Sequence, residues 1–471
     1  MKHSIETANN YIKEMTGKIN KSFYPEYHFS PPIGWMNDPN GVCFYKGKLN
    51  FFYQYNPYDS SWSDMYWGHA VTEDNCVFTH YPVALAPNCD DETMCFSGGA
   101  VVNKDEMILI YTKHYEKDGL SRETQSVARS LDGIHFLKDE TVVLGAEDLP
   151  EEINQKEFRD PNPVLWENGE YAVFIGSKTI ENEGCILIYK TKDFKSFQYF
   201  NKIKLPCMGV MCECPDFFTL GEKDILLCSI INLPSEEYRF KNINSVLYIV
   251  GKLNRQTGEF VVDYFDELDS GMDFYAPQTA CDKDGKRIML AWMEMWGKDE
   301  YYTHTYQHGY CGALTYPRIL TLKDHFLYQI PAKGIEKYRT NSTVDIKNLY
   351  ICYDMSLRLR KDSKVIVKGK LSEESFSFGI QNGRFYADFS TLKFQPMDLR
   401  KCKYIYDEAV EIRVLSDRSS IEIFIAGGKE TFTQRYFIDG DRLSIEIENG
   451  EITEVYELTL PEKNFKIKGQ I

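Results

Sequence analysis

The sequence predicts an all-β protein, a five-bladed β-propeller followed by a C-terminal antiparallel β-sandwich. Short apolar or aromatic runs alternate with Asn-Gly, Lys-Gly, Asp-Gly and Gly-Glu turn signals along most of the chain. Five of those segments superimpose as an internal repeat. Aromatic residues make up 14% of the 471, a surplus that suits pleated, half-buried surfaces.

The elements follow in chain order. Ile5, Ala8, Tyr11, Ile12 and Met15 fall at helical spacing, which predicts one amphipathic helix in an N-terminal extension over residues 1–25. The repeat occupies residues 26–325. Its copies open at Asp38-Pro39-Asn40-Gly41, Ser97-Gly98-Gly99-Ala100, Asp160-Pro161-Asn162-Pro163, Glu213-Cys214-Pro215-Asp216 and Ala276-Pro277-Gln278. Each runs to a tight turn and returns as an apolar strand, for example Leu49-Asn50-Phe51-Phe52-Tyr53 or Tyr171-Ala172-Val173-Phe174-Ile175. Counted back a fixed distance from each turn, positions 38, 97, 160, 213 and 276 are equivalent, at intervals of 59, 63, 53 and 63 residues. Five such units make a five-bladed propeller, whose innermost strands surround one axial channel. Over residues 335–471 the alternation lengthens, as in Glu411-Ile412-Arg413-Val414 and Ser420-Ile421-Glu422-Ile423-Phe424-Ile425, with Gly427-Gly428 as a hairpin turn. That tail is read as the sandwich.

Composition narrows the function. Lys and Arg total 54 against 70 Asp and Glu, a net charge of −16, which argues against nucleic acid or an anionic membrane as partner. The longest apolar run, Ile225 to Ile231, is far below the roughly 20 residues of a membrane-spanning helix, and the polar start Met1-Lys2-His3-Ser4 lacks a secretory pattern. Thirteen cysteines in no regular framework read as reduced thiols, so a cytoplasmic protein is expected. Asn341-Ser342-Thr343 matches a glycosylation acceptor, a chemistry that needs the secretory route. Cys207, Cys212 and Cys214 lack a fourth ligand at zinc spacing, His304 and His308 lie outside a helical pattern, and no nucleotide-binding glycine loop occurs, so neither metal nor organic cofactor is expected. Nothing in the sequence specifies an oligomeric state.

In the propeller frame three of the five equivalent positions carry acids, Asp38, Asp160 and Glu213, which would face one another across the channel. Cleavage of a glycosidic bond needs one ionised carboxylate to attack the anomeric carbon and one protonated carboxyl to release the leaving oxygen. Asp38, among the amides of Asn37, Asn40 and Gly41, is read as the ionised nucleophile. Glu213, between Cys212 and Cys214, sits in an apolar setting suited to a proton donor. Arg159 beside Asp160 would keep Asp160 ionised as a transition-state anchor.

Taken in order, Trp35-Met36-Asn37-Asp38-Pro39-Asn40-Gly41, Phe51-Phe52-Tyr53-Gln54-Tyr55-Asn56-Pro57, Trp67-Gly68-His69-Ala70, Phe96-Ser97-Gly98, Phe158-Arg159-Asp160-Pro161, Glu213-Cys214-Pro215-Asp216 and Asp273-Phe274-Tyr275-Ala276-Pro277-Gln278 resemble the signatures of glycoside hydrolase family 32, the β-fructofuranosidases. Asp417-Arg418-Ser419-Ser420 extends the likeness into the C-terminal domain. The resemblance implies retaining hydrolysis with Asp38 as nucleophile, Glu213 as acid/base and Asp160 as transition-state stabiliser. It also implies a fructose pocket lined by Asn37, Gln54, Trp62, Phe96, Ser97, Arg159 and Trp292, with Trp296 the alternative to Trp292. Two departures from the family pattern, Cys212 before the glutamate and Gly99 after Phe96-Ser97-Gly98, are expected to reshape the leaving-group side. The expected substrate is a small carbohydrate: sucrose 6-phosphate or sucrose first, fructo-oligosaccharides or fructans second. A non-catalytic carbohydrate-binding propeller is the competing class; it would need one acid missing, and none is.

Overall fold

The computed structural model describes residues 4–88, 90–297, 304–340, 344–394, 399–461 and 468; the Asn341-Ser342-Thr343 acceptor pattern lies outside them. Helix α1 (Ile5–Met15) begins at a capping box in which Ser4 Oγ accepts from Thr7 N at 3.1 Å. Its apolar residues Ala8 and Ile12 join Phe29, Ile33, Phe51 and Val83 in one cluster, so the helix closes the outside of the first blade.

Five four-stranded antiparallel sheets follow, each built from consecutive strands. Their innermost strands are Gly34–Tyr45, Met94–Asn103, Ile153–Leu165, Met211–Leu220 and Tyr275–Cys281, of blades I to V respectively. The fifth blade ends with Phe326–Pro331, six residues past the expected boundary at 325. Between its second and third strands the chain detours so that Tyr310–Cys311 pairs in parallel with Gly34 and Trp35, stitching blade V to blade I. The innermost strands of blades I, IV and V are buried on nearly their whole length because neighbouring blades cover both faces.

Each innermost strand carries a register shift at the same place: between Met36 and Pro39, Phe96 and Gly98, Arg159 and Asn162, Glu213 and Asp216, and Tyr275 and Gln278. Asp160, Cys214 and Ala276, each followed by Pro, take positive φ at this bulge (64°, 45° and 48°). The bulge corrects the repeat frame. Asp38, Ser97, Asp160, Cys214 and Ala276 are the equivalent set, and Glu213 belongs one residue earlier with Asn37, Phe96, Arg159 and Tyr275. Counting back from the turns slips because Cys214 precedes its Gly221-Glu222 turn by one residue fewer than Asp38 precedes Lys46-Gly47.

The C-terminal domain hangs on two long strands, Tyr353–Gly369 and Arg442–Glu457. The first half of Tyr353–Gly369 pairs with Val410–Asp417 and its second half with Ser375–Gln381, with a register break against Arg442–Glu457 between Leu359 and Lys364. The nine-strand path thereby folds into two layers around a core that includes Leu357, Val367, Phe378, Ile423 and Phe432.

The Asp417-Arg418-Ser419-Ser420 motif clamps the chain entering the propeller. Asp417 accepts from the backbone N–H groups of Glu26, Tyr27 and His28 at 2.8, 3.1 and 3.0 Å. His28 bridges Asp417 and Glu422, at 2.9 and 2.7 Å. Arg318 of blade V, fully buried, donates to Glu422 through Nε at 2.8 Å and to Asp269 at 2.9 Å. Burial alone would lower the His28 pKa, but its hydrogen bonds to Asp417 and Glu422 outweigh burial and raise it.

Candidate active site

A cavity of about 410 Å³ opens at the channel mouth where the innermost strands begin, and its floor holds all three predicted acids. Asp38 and Asp160 are 8% and 6% exposed. Burial pushes the Asp38 carboxyl up to about 6, the charge of Glu213 adds to that, and hydrogen bonds from Ser97 and Asn37 oppose it. Ser97 Oγ donates to Asp38 Oδ2 at 2.9 Å, while Asp38 Oδ1 has no hydrogen-bond partner.

Burial also raises Asp160, against the pull of Arg159 and with Glu213 and Asp38 adding to it. The expected Arg159 charge does act on Asp160, but burial outweighs it, and the guanidinium is turned elsewhere. Neighbours on a strand point apart: the Arg159 guanidinium meets Glu213 Oε1 at 2.9 Å, Glu123 at 3.3 Å and Glu157, while Asp160 Oδ2 accepts from the Cys214 N–H at 2.9 Å.

Glu213 departs from its expected surroundings for the same reason. Cys212 turns into the core with Phe174 and Leu226, and Cys214 Sγ lies 3.5 Å from Asp160 Oδ2 and 3.7 Å from Asp38 Oδ2. The Glu213 carboxyl instead sits between two donors, Arg159 on Oε1 and the Tyr275 hydroxyl on Oε2 at 2.6 Å. Neither Cys212 nor Gly99 lines this cavity. Gly99 faces the opposite mouth of the channel, where a Cβ would come within 2.5 Å of Pro163.

The pocket walls divide by chemistry. Trp62, 42% exposed, stands 6.1 Å from Phe96 and 6.4 Å from Trp296, ring centre to ring centre, so one wall is aromatic. Asn37, Gln54 and Ser97 complete the polar floor, Gln54 held by a 3.0 Å bond from Nε2 to Cys95 O. Trp292 is a correction. It is 1% exposed and packs beneath Trp35 and Trp296, and Trp296 lines the cavity in its place. Its strand pairs it directly with Tyr275, which holds it in the sheet, whereas Trp296 follows the strand and is free to reach the mouth.

The opposite wall comes from the outer strands of blade II and the start of blade III. His114 and Glu123 are a cross-strand pair, and Ser121 lies two residues before Glu123 on the same face. Sequence reasoning missed His114, Glu123 and Tyr275. Tyr275 fits the X-Pro frame of the repeat and could have been found through it; the blade II pair carried no signal, because the repeat was aligned only on first hairpins.

Residues 28–331 match the model for the glycosyl hydrolases family 32 N-terminal domain, and residues 340–460 that for the family 32 C terminal domain. The chain belongs to glycosyl hydrolase family 32. It is 31% identical to a sucrose-6-phosphate hydrolase of Escherichia coli over 463 residues, covering 92% of this chain and 93% of the relative. A raffinose invertase of Escherichia coli is 30% identical, with 96% and 98% covered. The solved structure of a family 32 β-fructofuranosidase from Bombyx mori superimposes with a TM-score of 0.84 at 33% identity, covering 96% of this chain and 97% of that one.

Proposed function

We propose that this protein is a retaining β-fructofuranosidase that releases fructose from sucrose 6-phosphate or sucrose. The observation that carries the reading is the convergence of Asp38, Asp160 and Glu213 on the floor of one cavity with an aromatic wall. The family assignment and the names of the Escherichia coli and Bombyx mori relatives support it.

In this reading Asp38 Oδ1, free of hydrogen bonds, attacks the anomeric carbon of the fructosyl unit. Glu213 gives its proton to the glycosidic oxygen as that bond breaks, and the glucosyl part departs as an alcohol. A covalent fructosyl-Asp38 ester remains. Glu213, now a carboxylate, takes a proton from water, whose oxygen displaces Asp38 and yields fructose. Asp160 hydrogen-bonds hydroxyls of the fructosyl ring, strengthening as positive charge develops on the ring. Arg159 and Tyr275 hold the Glu213 carboxyl over the bond to be cleaved. Trp62 and Trp296 offer apolar faces to the sugar, and Asn37, Gln54, Phe96 and Ser97 complete its pocket.

Among the described residues no helix is long and apolar enough to cross a membrane; we place the enzyme in the cytoplasm, where phosphorylated sugars arise. Asp38→Asn tests the assignment. Fructose release from sucrose should fall by about a thousandfold or more while the fold is retained, and near wild-type turnover would overturn it. With Glu213→Ala, an activated fructoside and azide should give fructosyl azide, because a covalent intermediate waits for a nucleophile that needs no base.

A further inference from the structure

Resting on the β-fructofuranosidase reading, we propose that Lys156, with Ser121, recognises a phosphate on the departing hexose and sets the preference between phosphorylated and plain substrate. Both line the wall facing Trp62 and Trp296.

The cavity holds two cations, and they differ in what they face. Arg159 is saturated by Glu213, Glu123 and Glu157. Lys156 is exposed at the rim, and among the described residues no carboxylate pairs with its ammonium group. A free cation in a cavity whose floor is acidic gains more from an anion than from a neutral glucose. It offsets the repulsion that an incoming phosphate would meet from Asp38, Asp160 and Glu213. Glu157, the carboxylate next to it in sequence, pairs with Arg159 and lies 3.4 Å from Lys178 rather than pairing with Lys156.

His114 stands behind Lys156 and Ser121. It is 6% exposed, stacks on Phe96 at 4.1 Å between ring centres, and its Nδ1 and Nε2 each lie 3.6 Å from a carboxylate oxygen, of Glu123 and Glu116 respectively. Cross-strand pairing sets it beside Glu123 and hence on the face that carries Ser121. Ammonium and hydroxyl together suit a phosphate monoester. The acids fill the floor, so the leaving hexose lies outward of Glu213, at the level of this wall.

The test is kcat/KM on sucrose 6-phosphate divided by kcat/KM on sucrose, with glucose 6-phosphate and glucose compared as product inhibitors. For the wild type the ratio should exceed one and fall between 0.05 and 0.5 M NaCl, because a rim contact is screened. Lys156→Ala should lower the ratio about tenfold, by raising KM for the phosphorylated substrate, and weaken glucose 6-phosphate inhibition in step; Lys156→Arg should keep it within about twofold. Ser121→Ala should lower it less. An unchanged ratio in both Lys156→Ala and Ser121→Ala, with both substrates turned over, overturns the role of this wall alone. Failure of the wild type to release fructose from either substrate overturns the underlying reading and this inference with it.

Discussion

The Tyr275 hydroxyl donates a 2.6 Å hydrogen bond to Glu213, and the two residues occupy the same bulge position in adjacent blades. Because Arg159 takes the other oxygen, the carboxyl is held at both ends by groups that the propeller repeat itself supplies. Tyr275→Phe removes one hydrogen bond to a carboxyl and no ring. We expect kcat on sucrose to drop about tenfold or more with KM little changed, since hydrogen bonds to charged groups contribute about 1.5–3 kcal/mol. An unaltered kcat would remove Tyr275 from the machinery.

Asp38 should govern the acidic limb of activity. Its carboxyl is raised from the usual carboxylate range to about 6, and the attacking form is ionised, so kcat/KM should fall as pH drops through 6. Ser97→Ala removes the 2.9 Å donor that favours the ionised form, and the limb should move to higher pH. A limb that stays in place would separate Ser97 from Asp38 ionisation.

The same shift carries a stability consequence. An acid whose folded pKa lies above its unfolded value favours the fold in its protonated state; that contribution is complete below about pH 4 and is lost as pH rises through about 6. Asp38→Asn should therefore raise Tm by a few degrees at pH 7 and by less at pH 4, while abolishing turnover. Equal gains at both pH values would show that the carboxyl charge is not the source.

Trp292 and Trp296 should separate cleanly. Trp296→Ala exposes one face of the sugar pocket and should raise KM with little change in Tm. Trp292→Ala leaves a void in the blade IV–V core and should cost about 3–5 kcal/mol. Thermal unfolding and kinetics on the two variants decide between lining and packing.

The interdomain cluster makes a prediction of its own. Arg318→Met leaves the buried Asp269 and Glu422 carboxylates without their cation, and a loss of about 3–5 kcal/mol is expected. His28 behaves with the opposite pH sense to an ordinary carboxylate pair. Its folded pKa is raised, so its contribution is full below about 6.5 and fades as pH rises through the folded value. His28→Gln should flatten the dependence of Tm on pH above neutrality.

Much of the fold was legible because a propeller repeats. Five strand-turn-strand copies, each with a turn signal and an X-Pro or Gly step, could be laid over one another without coordinates. Asp38 and Asp160 were found that way, Glu213 by a frame one residue out of step, and all three share one cavity floor. Side-chain direction was not legible. Arg159 precedes Asp160 and Cys212 precedes Glu213, yet alternation along the strand sends each away from its neighbour's carboxyl, so Arg159 pulls on Asp160 only against a larger effect of burial and Cys212 gives Glu213 no apolar cover. His114, Glu123 and Lys156 lay beyond reach for a different reason. They come from outer strands and a blade entry, and only the closed ring sets them against residues about a hundred positions away.

By itself the sequence determined the number of blades and the identity of the acids, since these follow from local periodicity and from turn chemistry that each segment carries alone. The tertiary structure decided which atoms those acids meet. It set Glu213 between Arg159 and Tyr275, Asp38 against Ser97, Trp296 rather than Trp292 at the mouth, and Lys156 at the rim of the same cavity. These contacts are made across blades, and the closing of the ring, through the pairing of Tyr310–Cys311 with Gly34 and Trp35, brings the first and last blades together around them.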